Sequence, residues 1–466
     1  MRRPLAAAAL GLALLAPAAA ACAAPPAPAA AEAAHLAAAI DPLVAKHLAE
    51  TGAPGAGVVV VRDGKVVFIK AYGLADREAA RASTPQTVWP IASITKTLTA
   101  IAVMQQVEAG RMRLDSDVQA YLKRLRVPAT FPQPITLADT LRHTSGLDEL
   151  PGRRFDDPAK VPPMQDFLAG HLVRHRAAGD YTSYSTYGIA LAAAALHDVT
   201  GEPYEAYLRR RLFEPLGLTS ARIMLRPADA RGVAAPYELD DGKARRIGYE
   251  WYATPPTSSA ALSLEDIGRL LADLTSARPR LLSRATLETM TAQQATLDPR
   301  IPGWGYGFQL DRANGRGIAE HGGDIGGFAA LMSILPRERL AIFTVSHGEG
   351  SNLRFRIRQA VLDALYPAPP SAAPPAVKVD VTPYLGTYRA SFRCHSCAEP
   401  PPVPEFAVEA DGKGGVSLWG TDWTPIGADG FADPETGRRI VFLRGPDGTV
   451  TAVAGGAWRV GERVTF

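Results

Sequence analysis

The pattern of apolar and polar residues predicts a body of mixed helices and strands. Residues 58–62 and 65–69 are apolar runs joined by Asp63-Gly64, a pair typical of a β-hairpin turn. Residues 329–335 and 340–346 repeat this pattern and predict a second pair of strands. Between the two pairs, helices are predicted over about 93–110, 137–143, 164–175 and 188–211. This order predicts an α+β fold: an antiparallel sheet in which the terminal strands meet, flanked by helices, with an inserted helical region.

A change in composition marks the end of this body, which is predicted as one domain over residues 36–366. Residues 367–376 are rich in Pro and Ala and cannot continue a helix or a central strand, which predicts a linker. Residues 377–466 alternate short β-type runs with turn signals such as Asp429-Gly430. This pattern predicts a C-terminal all-β sandwich or small barrel.

The N-terminus has the order of a secretory signal peptide over residues 1–22. Two arginines precede an apolar run, and small residues follow up to Cys22. The run is too short to span a membrane, so we expect an exported protein, periplasmic or secreted. Cys22 leaves two alternatives open: it carries the lipid of a membrane-anchored lipoprotein, or cleavage occurs nearby without lipid. Ala19 stands where lipoprotein signals usually have Leu, and residues 23–35 are predicted as a flexible tether.

Charge and the remaining cysteines narrow the classes of partner. The net charge is +3, without the basic stripe expected of a nucleic-acid-binding protein, so no nucleic-acid partner is expected. A membrane contact is expected only through a lipid on Cys22. Cys394 and Cys397 predict a local disulfide in an oxidising compartment, because a zinc site would need more ligands than this cluster supplies.

Three short stretches carry candidate chemistry, and the first is Ala92–Ala100, "ASITKTLTA". Ser93 and Lys96 are three residues apart, so on a helix they share a face. The chain has few lysines and many arginines, and only a lysine amine can lose its proton when it is desolvated. A serine beside such an amine is a candidate nucleophile. On these features alone, an N-cap serine followed by a solvated lysine is an equal alternative.

The other two stretches contain Tyr184 and His321. Tyr184 precedes an Ala-rich helix and is either a proton shuttle in a cleft or a packing residue. His321 lies in Glu320–Phe328, where paired glycines would let the backbone approach a ligand closely. Alone, such a histidine is as consistent with a structural role. His171 and His175 are at helical spacing but lack the Glu of a zinc protease motif, so no metal site is predicted.

The three stretches, in this order, resemble the serine β-lactamase and penicillin-binding-protein superfamily. The closest pattern is that of the class C-like branch, which includes esterases, D-aminopeptidases and D,D-carboxypeptidases. Its Ser-x-x-Lys, Tyr-x-Asn and Lys/His-x-Gly motifs correspond to Ser93–Lys96, Tyr184–Thr186 and His321–Gly323. Leu141–Leu147 resembles the branch's His-Thr-Ser-Gly-Leu signature, and the resemblance runs over about residues 40–365.

The resemblance implies a role for each matching residue. Ser93 would attack a carbonyl and form an acyl-enzyme, while Lys96 and Tyr184 would move the proton. The backbone N–H groups of Ser93 and Asp324 would form an oxyanion hole. His321, Gly323 and Thr186 would line the substrate site. No cofactor is implied.

Two departures from the family pattern bear on the substrate. Thr186 replaces the family's Asn and loses a carboxamide, and His321 replaces a Lys that would pair with a substrate carboxylate. We therefore expect an exported serine hydrolase of small-molecule or peptide esters or amides, with β-lactams and D-amino-acid peptides as further candidates. The alternative is a catalytically weak or idle penicillin-binding or cell-wall-sensing protein. For the C-terminal domain, a contact with the cell envelope or a role in shaping the cleft are both hypotheses.

Overall fold

The computed structural model describes residues 28–369, 375 and 377–464. The predicted signal peptide and Cys22 lie outside these residues. The helices are α1 (Pro28–Thr51), α2 (Thr95–Glu108), α3 (Leu137–Leu141), α4 (Met164–Ala169), α5 (Thr186–Thr200), α6 (Tyr204–Leu208), α7 (Glu214–Leu216), α8 (Leu264–Thr275), α9 (Arg284–Thr291) and α10 (Leu353–Leu365). No described helix is both long enough and apolar enough to cross a lipid bilayer.

Strands β1–β14 belong to the first domain and β15–β22 to the second. The first set is β1 (Gly55–Arg62), β2 (Lys65–Asp76), β3 (Arg81–Ala82), β4 (Val88–Pro90), β5 (Arg154–Phe155), β6 (Arg222–Ile223), β7 (Tyr237–Asp240), β8 (Lys243–Arg246), β9 (Trp251–Tyr252), β10 (Ala260–Ser263), β11 (Gln309–Ala313), β12 (Arg316–Ile325), β13 (Phe328–Leu335) and β14 (Leu340–His347). The second set is β15 (Gly386–Ala390), β16 (Glu405–Ala410), β17 (Val416–Leu418), β18 (Thr421–Gly427), β19 (Gly430–Ala432), β20 (Arg439–Arg444), β21 (Val450–Ala454) and β22 (Val460–Arg463).

The central sheet has seven antiparallel strands in the order β11-β12-β13-β14-β1-β2-β3, which confirms the predicted fold class. Strands from the two ends of the domain meet where β1 pairs with β14. Both are buried along almost their whole length because helices cover both faces of the sheet. Asp63 and Gly64 close the β1–β2 hairpin with positive φ angles of 52° and 74°, as the Asp-Gly pair predicts.

The predicted tether over residues 23–35 is wrong for its described part, because α1 already begins at Pro28. The alanines that suggested a flexible segment are strong helix formers. The helix packs beside α10, and its Glu32 and His35 contact Arg62 and the carbonyl oxygen of Ala364.

Two predicted helices are shorter than their apolar patterns suggested. The helix predicted over 164–175 ends at Ala169, before Gly170. The helix predicted over 188–211 breaks at Gly201, which has a φ of 70°, so α5 and α6 are separate. The sequence pattern missed both ends because a glycine can end a helix inside an apolar run.

The second domain is a closed barrel of eight strands in sequential order, the second of the two predicted alternatives. β15 pairs with both β16 and β22, which closes the ladder. Its core is separate from that of the first domain and includes Tyr388, Trp423, Phe431 and Phe442. A barrel has no open sheet edge, so the domain presents its loops and outer surface to the first domain.

Candidate functional site

Ser93 lies in a single 3₁₀ turn, Ala92–Ile94, directly before α2. The Nζ atom of Lys96 is 3.1 Å from Ser93 Oγ and 2.9 Å from the carbonyl oxygen of Thr257. Lys96 is completely buried, and Ser93 makes no N-cap hydrogen bond with its side chain. The capped-helix interpretation of this stretch is therefore wrong. Ala92 has a φ of 49°, and this strained conformation turns the chain so that Ser93 is half-buried beside the amine.

The surroundings of Lys96 favour its neutral form. Burial, reinforced by the positive charge of Arg153, holds the pKa of the amine well below its usual range. The Glu149 carboxylate opposes this only in part. An uncharged amine next to a serine hydroxyl can accept its proton.

Tyr184 lies in the loop before α5, and the Ser185 side chain caps that helix by accepting the N–H of Gly188. The Lys96 amine is 5.0 Å from the centre of the Tyr184 ring. Burial raises the pKa of the phenol, and the neighbouring Ser93 hydroxyl opposes this in part. The phenolic oxygen makes no hydrogen bond of normal geometry with any described residue. It is therefore a protonated donor without a partner, beside the serine.

Strand β12 approaches the serine through Gly323. A Cβ atom at this position would lie 2.5 Å from the carbonyl oxygen of Ile91 and 3.2 Å from the backbone nitrogen of Ser93. Only glycine permits this contact. Asp324 follows, and its side chain is held by an ion pair with Arg354 at 2.8 Å.

The register of the β11–β12 hairpin determines which backbone N–H groups of β12 point toward β11 and which point toward β13. A two-residue turn closes the hairpin at Arg316, so alternate residues from there on direct their N–H groups toward β11. Asp324 belongs to this set, while β11 pairs only as far as Glu320. The Asp324 amide therefore lies on the edge of β12 that β11 leaves unpaired.

His321, on the same strand, is neutral. Burial, with the nearby Lys96, lowers the pKa of its imidazole to about 3. Its Nδ1 atom is 2.7 Å from the carbonyl oxygen of Gly322, which can only accept a hydrogen bond, so Nδ1 carries the proton. Nε2 is then a buried acceptor that has no partner within the described chain.

Thr186 is held by Glu149, a residue that sequence reasoning missed. The Thr186 N–H donates to Glu149 Oε2 at 2.8 Å, and the Thr186 hydroxyl is buried without a partner in the described ranges. Glu149 Oε1 is 3.9 Å from Arg153 Nε. Burial raises the pKa of Glu149, while Arg153 and the Thr186 bond oppose this. Its only sequence signal was its position two residues after the Leu141–Leu147 signature.

His143 lies in the Leu141–Leu147 stretch that resembles the family signature, and its ring packs against the site itself. The ring centres of His143 and Tyr184 are 4.7 Å apart, and those of His143 and Trp304 are 4.3 Å apart. Nδ1 accepts the Ser185 N–H at 3.0 Å, which leaves the proton on Nε2. Burial, followed by His321 and Lys96, holds the pKa of His143 well below its usual range, so the ring is a neutral support for Tyr184.

The barrel completes the site, which sequence reasoning raised only as one hypothesis. Residues of both domains line a cavity of about 450 Å³. From the first domain these include Glu149, Arg153 and Asp324, and from the barrel Phe392, Arg393 and the loop 401–404. Cys394 and Cys397 are joined by a disulfide in the same barrel loop. The two histidines at helical spacing are separated: His171 stacks on Phe167, and His175 on His395 of the barrel.

Comparison with known proteins agrees with this arrangement. The Beta-lactamase family model matches residues 40–366. The chain is 28% identical to Esterase EstB of Burkholderia gladioli, over 63% of this chain and 85% of that protein. It is also 28% identical to Penicillin-binding protein 4 of Amycolatopsis lactamdurans, over 72% of this chain and 93% of that protein.

Among solved structures, the fold is similar to that of SurE, with a TM-score of 0.67 and 23% identity. The match covers 93% of this chain and 99% of that chain, so it extends over both the first domain and the C-terminal barrel of this chain. The family match covers most of the first domain, where all three motifs lie, and the chain therefore belongs to the β-lactamase family.

Proposed function

We propose that the protein is an exported serine hydrolase that cleaves an uncharged ester or amide through an acyl-enzyme on Ser93. The observation that carries this proposal is the completely buried Lys96 amine, 3.1 Å from Ser93 Oγ. A buried amine whose pKa is lowered serves as a base, whereas a lysine with only a structural role would keep its charge in solvent.

In the first step, Ser93 Oγ attacks the carbonyl carbon of the substrate while Lys96 accepts the serine proton. The carbonyl oxygen becomes an oxyanion, for which the backbone N–H groups of Ser93 and Asp324 are the proposed donors. Removing one donor of such a pair lowers kcat about 10²–10³-fold. The close approach of Gly323 to Ser93 supports this assignment because it brings the two backbones together.

In the second step, the bond between the carbonyl carbon and the leaving group breaks. Tyr184 is the proposed donor to the departing oxygen or nitrogen, and the Lys96 ammonium then returns a proton to the phenol. The raised pKa of Tyr184 supports a role as a neutral acid in this step. Water then attacks the acyl-enzyme, with Lys96 again accepting a proton, which releases the acid and regenerates Ser93.

The substrate class follows from His321. A family member that binds a substrate carboxylate would use a cation on this strand, but His321 is neutral and its free Nε2 atom is an acceptor. Arg153, whose charge acts on Lys96, already faces Glu149. We therefore propose an ester or amide without a carboxylate next to the scissile bond, in preference to a β-lactam or a D-peptide carboxyl terminus.

A labelling and turnover experiment tests the proposal. A fluorophosphonate probe should label the wild-type protein and not Ser93→Ala. Wild-type turnover should be measured on short-chain esters, D-amino-acid amides and nitrocefin, and we expect the esters to be cleaved fastest. Absence of labelling at Ser93 would support the alternative of an idle penicillin-binding or sensing protein. Nitrocefin as the best substrate would overturn the inferred role of His321.

Export and lipidation of Cys22 remain proposals. A disulfide between Cys394 and Cys397 suits an oxidising compartment and supports export. The N-terminal residue of the protein purified from its native cell distinguishes the alternatives. A lipid-modified Cys22 supports a membrane anchor, an unmodified N-terminus near residue 22 supports simple cleavage, and an intact Met1 would rule out both.

A further inference from the structure

We infer that the barrel supplies an aromatic wall that selects substrates with a flat, uncharged, aromatic leaving alcohol. This inference rests on the proposed hydrolase function and names the part of the substrate that the barrel recognises. The wall consists of Phe392, in the loop after β15, and Trp458, in the loop before β22. Both residues flank Tyr184.

The contacts of the wall place it at the reacting end of the site. The ring centres of Trp458 and Tyr184 are 4.1 Å apart, and those of Phe392 and Tyr184 are 5.2 Å apart with the rings edge to face. Trp304, from the first domain, completes the group at 5.9 Å from both Tyr184 and Trp458. Tyr184 is thus surrounded by aromatic rings on the barrel side.

The side chains of Phe392 and Trp458 are also unusually exposed to solvent. Phe392 remains 37% exposed and Trp458 remains 38% exposed, although both lie beside a buried cluster. Few large apolar side chains are this exposed in the described part of the chain, and these two lie next to each other, with ring centres 5.9 Å apart. Phe392 also lines the cavity between the domains, so this pair of exposed aromatic rings is a surface on which a flat ligand can stack.

The position of Tyr184 decides which half of the substrate meets the wall. Its hydroxyl is the proposed proton donor to the departing oxygen, so the group attached to that oxygen lies next to Tyr184. Rings that pack on Tyr184 therefore contact the leaving alcohol. The acyl group, bonded to Ser93, lies on the other side of the scissile bond.

Most of the charged side chains around the cavity are already paired and so are not available to bind a charged substrate. Asp324 is paired with Arg354, Arg154 with Glu250, and Arg393 with Glu462. Glu149 and Arg153 form a further pair within the lining, and Glu349 is a lining carboxylate that has no ion-pair partner among the described residues. Aromatic rings also bind quaternary ammonium groups, so a cationic leaving alcohol, which Glu349 would attract, is the competing ligand that the experiment below must separate from an uncharged one.

The wall is fixed to the first domain by the disulfide loop that follows Phe392. Asp148, which is completely buried, accepts the N–H groups of His395 and Ser396, each at 2.8 Å, and the Ser396 hydroxyl at 2.6 Å. The stacked rings of His175 and His395 lie alongside, with their centres 4.1 Å apart. These contacts hold the loop in one place, as a specificity-determining wall requires.

Matched acetate esters test the inference because they all form the same acyl-enzyme. Benzyl acetate and ethyl acetate differ only in the leaving alcohol, so their ratio of kcat/KM reports acylation beside the wall. We expect the wild-type protein to favour benzyl acetate and Trp458→Ala to reduce this ratio about tenfold. Phe392→Ala should reduce it in the same direction, and Trp458→Phe should largely preserve it.

Three controls separate the outcomes. Phe355→Ala removes an equally exposed phenyl ring, 38% exposed, that does not pack on Tyr184 as Phe392 and Trp458 do, and should leave the ratio unchanged. The ratio of methyl phenylacetate to methyl acetate, which probes the acyl side, should respond much less to Trp458→Ala. Fluorophosphonate labelling of Ser93 in each variant shows whether the hydrolase itself is intact.

Two results would overturn the inference while leaving the hydrolase proposal in place. One is a benzyl-to-ethyl ratio that is unchanged in both alanine variants although Ser93 is still labelled. The other is faster cleavage of choline acetate than of its uncharged isostere 3,3-dimethylbutyl acetate, which would indicate a cation-binding cage. Failure of the wild-type protein to label or to hydrolyse any ester would instead refute the proposed function.

Discussion

Asp148→Asn is the most direct test of how the two domains are held together. The carboxylate is buried at the interface, and apart from the N–H of the adjacent Glu149 its close hydrogen bonds come from the disulfide loop of the barrel. Oδ1 accepts the His395 N–H, while Oδ2 accepts the N–H and the hydroxyl of Ser396. Burial alone would raise the pKa of Asp148, but these bonds lower it, so the group is ionised at neutral pH.

The substitution keeps the shape of the side chain and replaces one accepting oxygen with an NH₂ group. Whichever way the amide turns, the NH₂ faces at least one N–H donor, which loses its partner while buried. A hydrogen bond to a charged group contributes about 1.5–3 kcal/mol, and a buried donor without a partner costs a further ~1–3 kcal/mol. We therefore expect the docked state of the loop to lose about 2.5–6 kcal/mol.

Hydrogen exchange of the loop amides measures this loss. A change of about 3 kcal/mol corresponds to roughly hundredfold faster exchange at His395 and Ser396. The ratio of benzyl to ethyl acetate turnover should fall in parallel, because the wall is no longer held against Tyr184. Asp411→Asn is a matched control: its carboxylate also accepts two backbone N–H groups, but within a turn of the barrel. Equal exchange at the loop amides in wild type and Asp148→Asn would refute the reasoning.

Three further predictions concern the site and its pH dependence. Tyr184→Phe removes a hydroxyl that has no normal hydrogen-bond partner among the described residues. The free energy of unfolding should therefore change by less than about 1 kcal/mol. Ester kcat should fall about 10²–10⁴-fold, and an unchanged kcat would exclude the proton-transfer role. Gly323→Ala places a methyl group 2.5 Å from the Ile91 carbonyl oxygen, so labelling of Ser93 should slow sharply; a wild-type labelling rate would contradict the close approach of β12. Burial, followed by the charge of His395, lowers the pKa of His175 from the usual 6.5 to about 4. The contribution of the neutral His175 ring to docking is therefore complete above pH 6.5 and is lost as the pH falls toward 4. Exchange of the loop amides, corrected for the intrinsic pH dependence, should report this weakening, and His175→Gln should reduce it, with the remainder due to His395, whose pKa is also lowered by burial.

The sequence by itself determined the sheet and the main elements of the first domain. The hairpin at Asp63-Gly64 and the apolar runs that became β13 and β14 follow from local rules on turns and side-chain burial. Ser93 and Lys96 were paired from their spacing and from the choice of lysine in an arginine-rich chain. These features are local, so a single stretch of sequence contains the information. The ends of helices inside apolar runs were less predictable, as the early end of α4 shows.

Only the tertiary structure decided what surrounds the nucleophile. Whether Lys96 is a surface charge or a neutral base depends on burial and on Arg153 and Glu149, which lie far from it in the sequence. The aromatic wall depends on the barrel docking through Asp148, a contact between residues separated by about 250 positions. Burial and long-range contacts set the pKa values and the shape of the site. For that reason the sequence determined the chemistry of attack, while the structure determined its electrostatics and the surface that the leaving group meets.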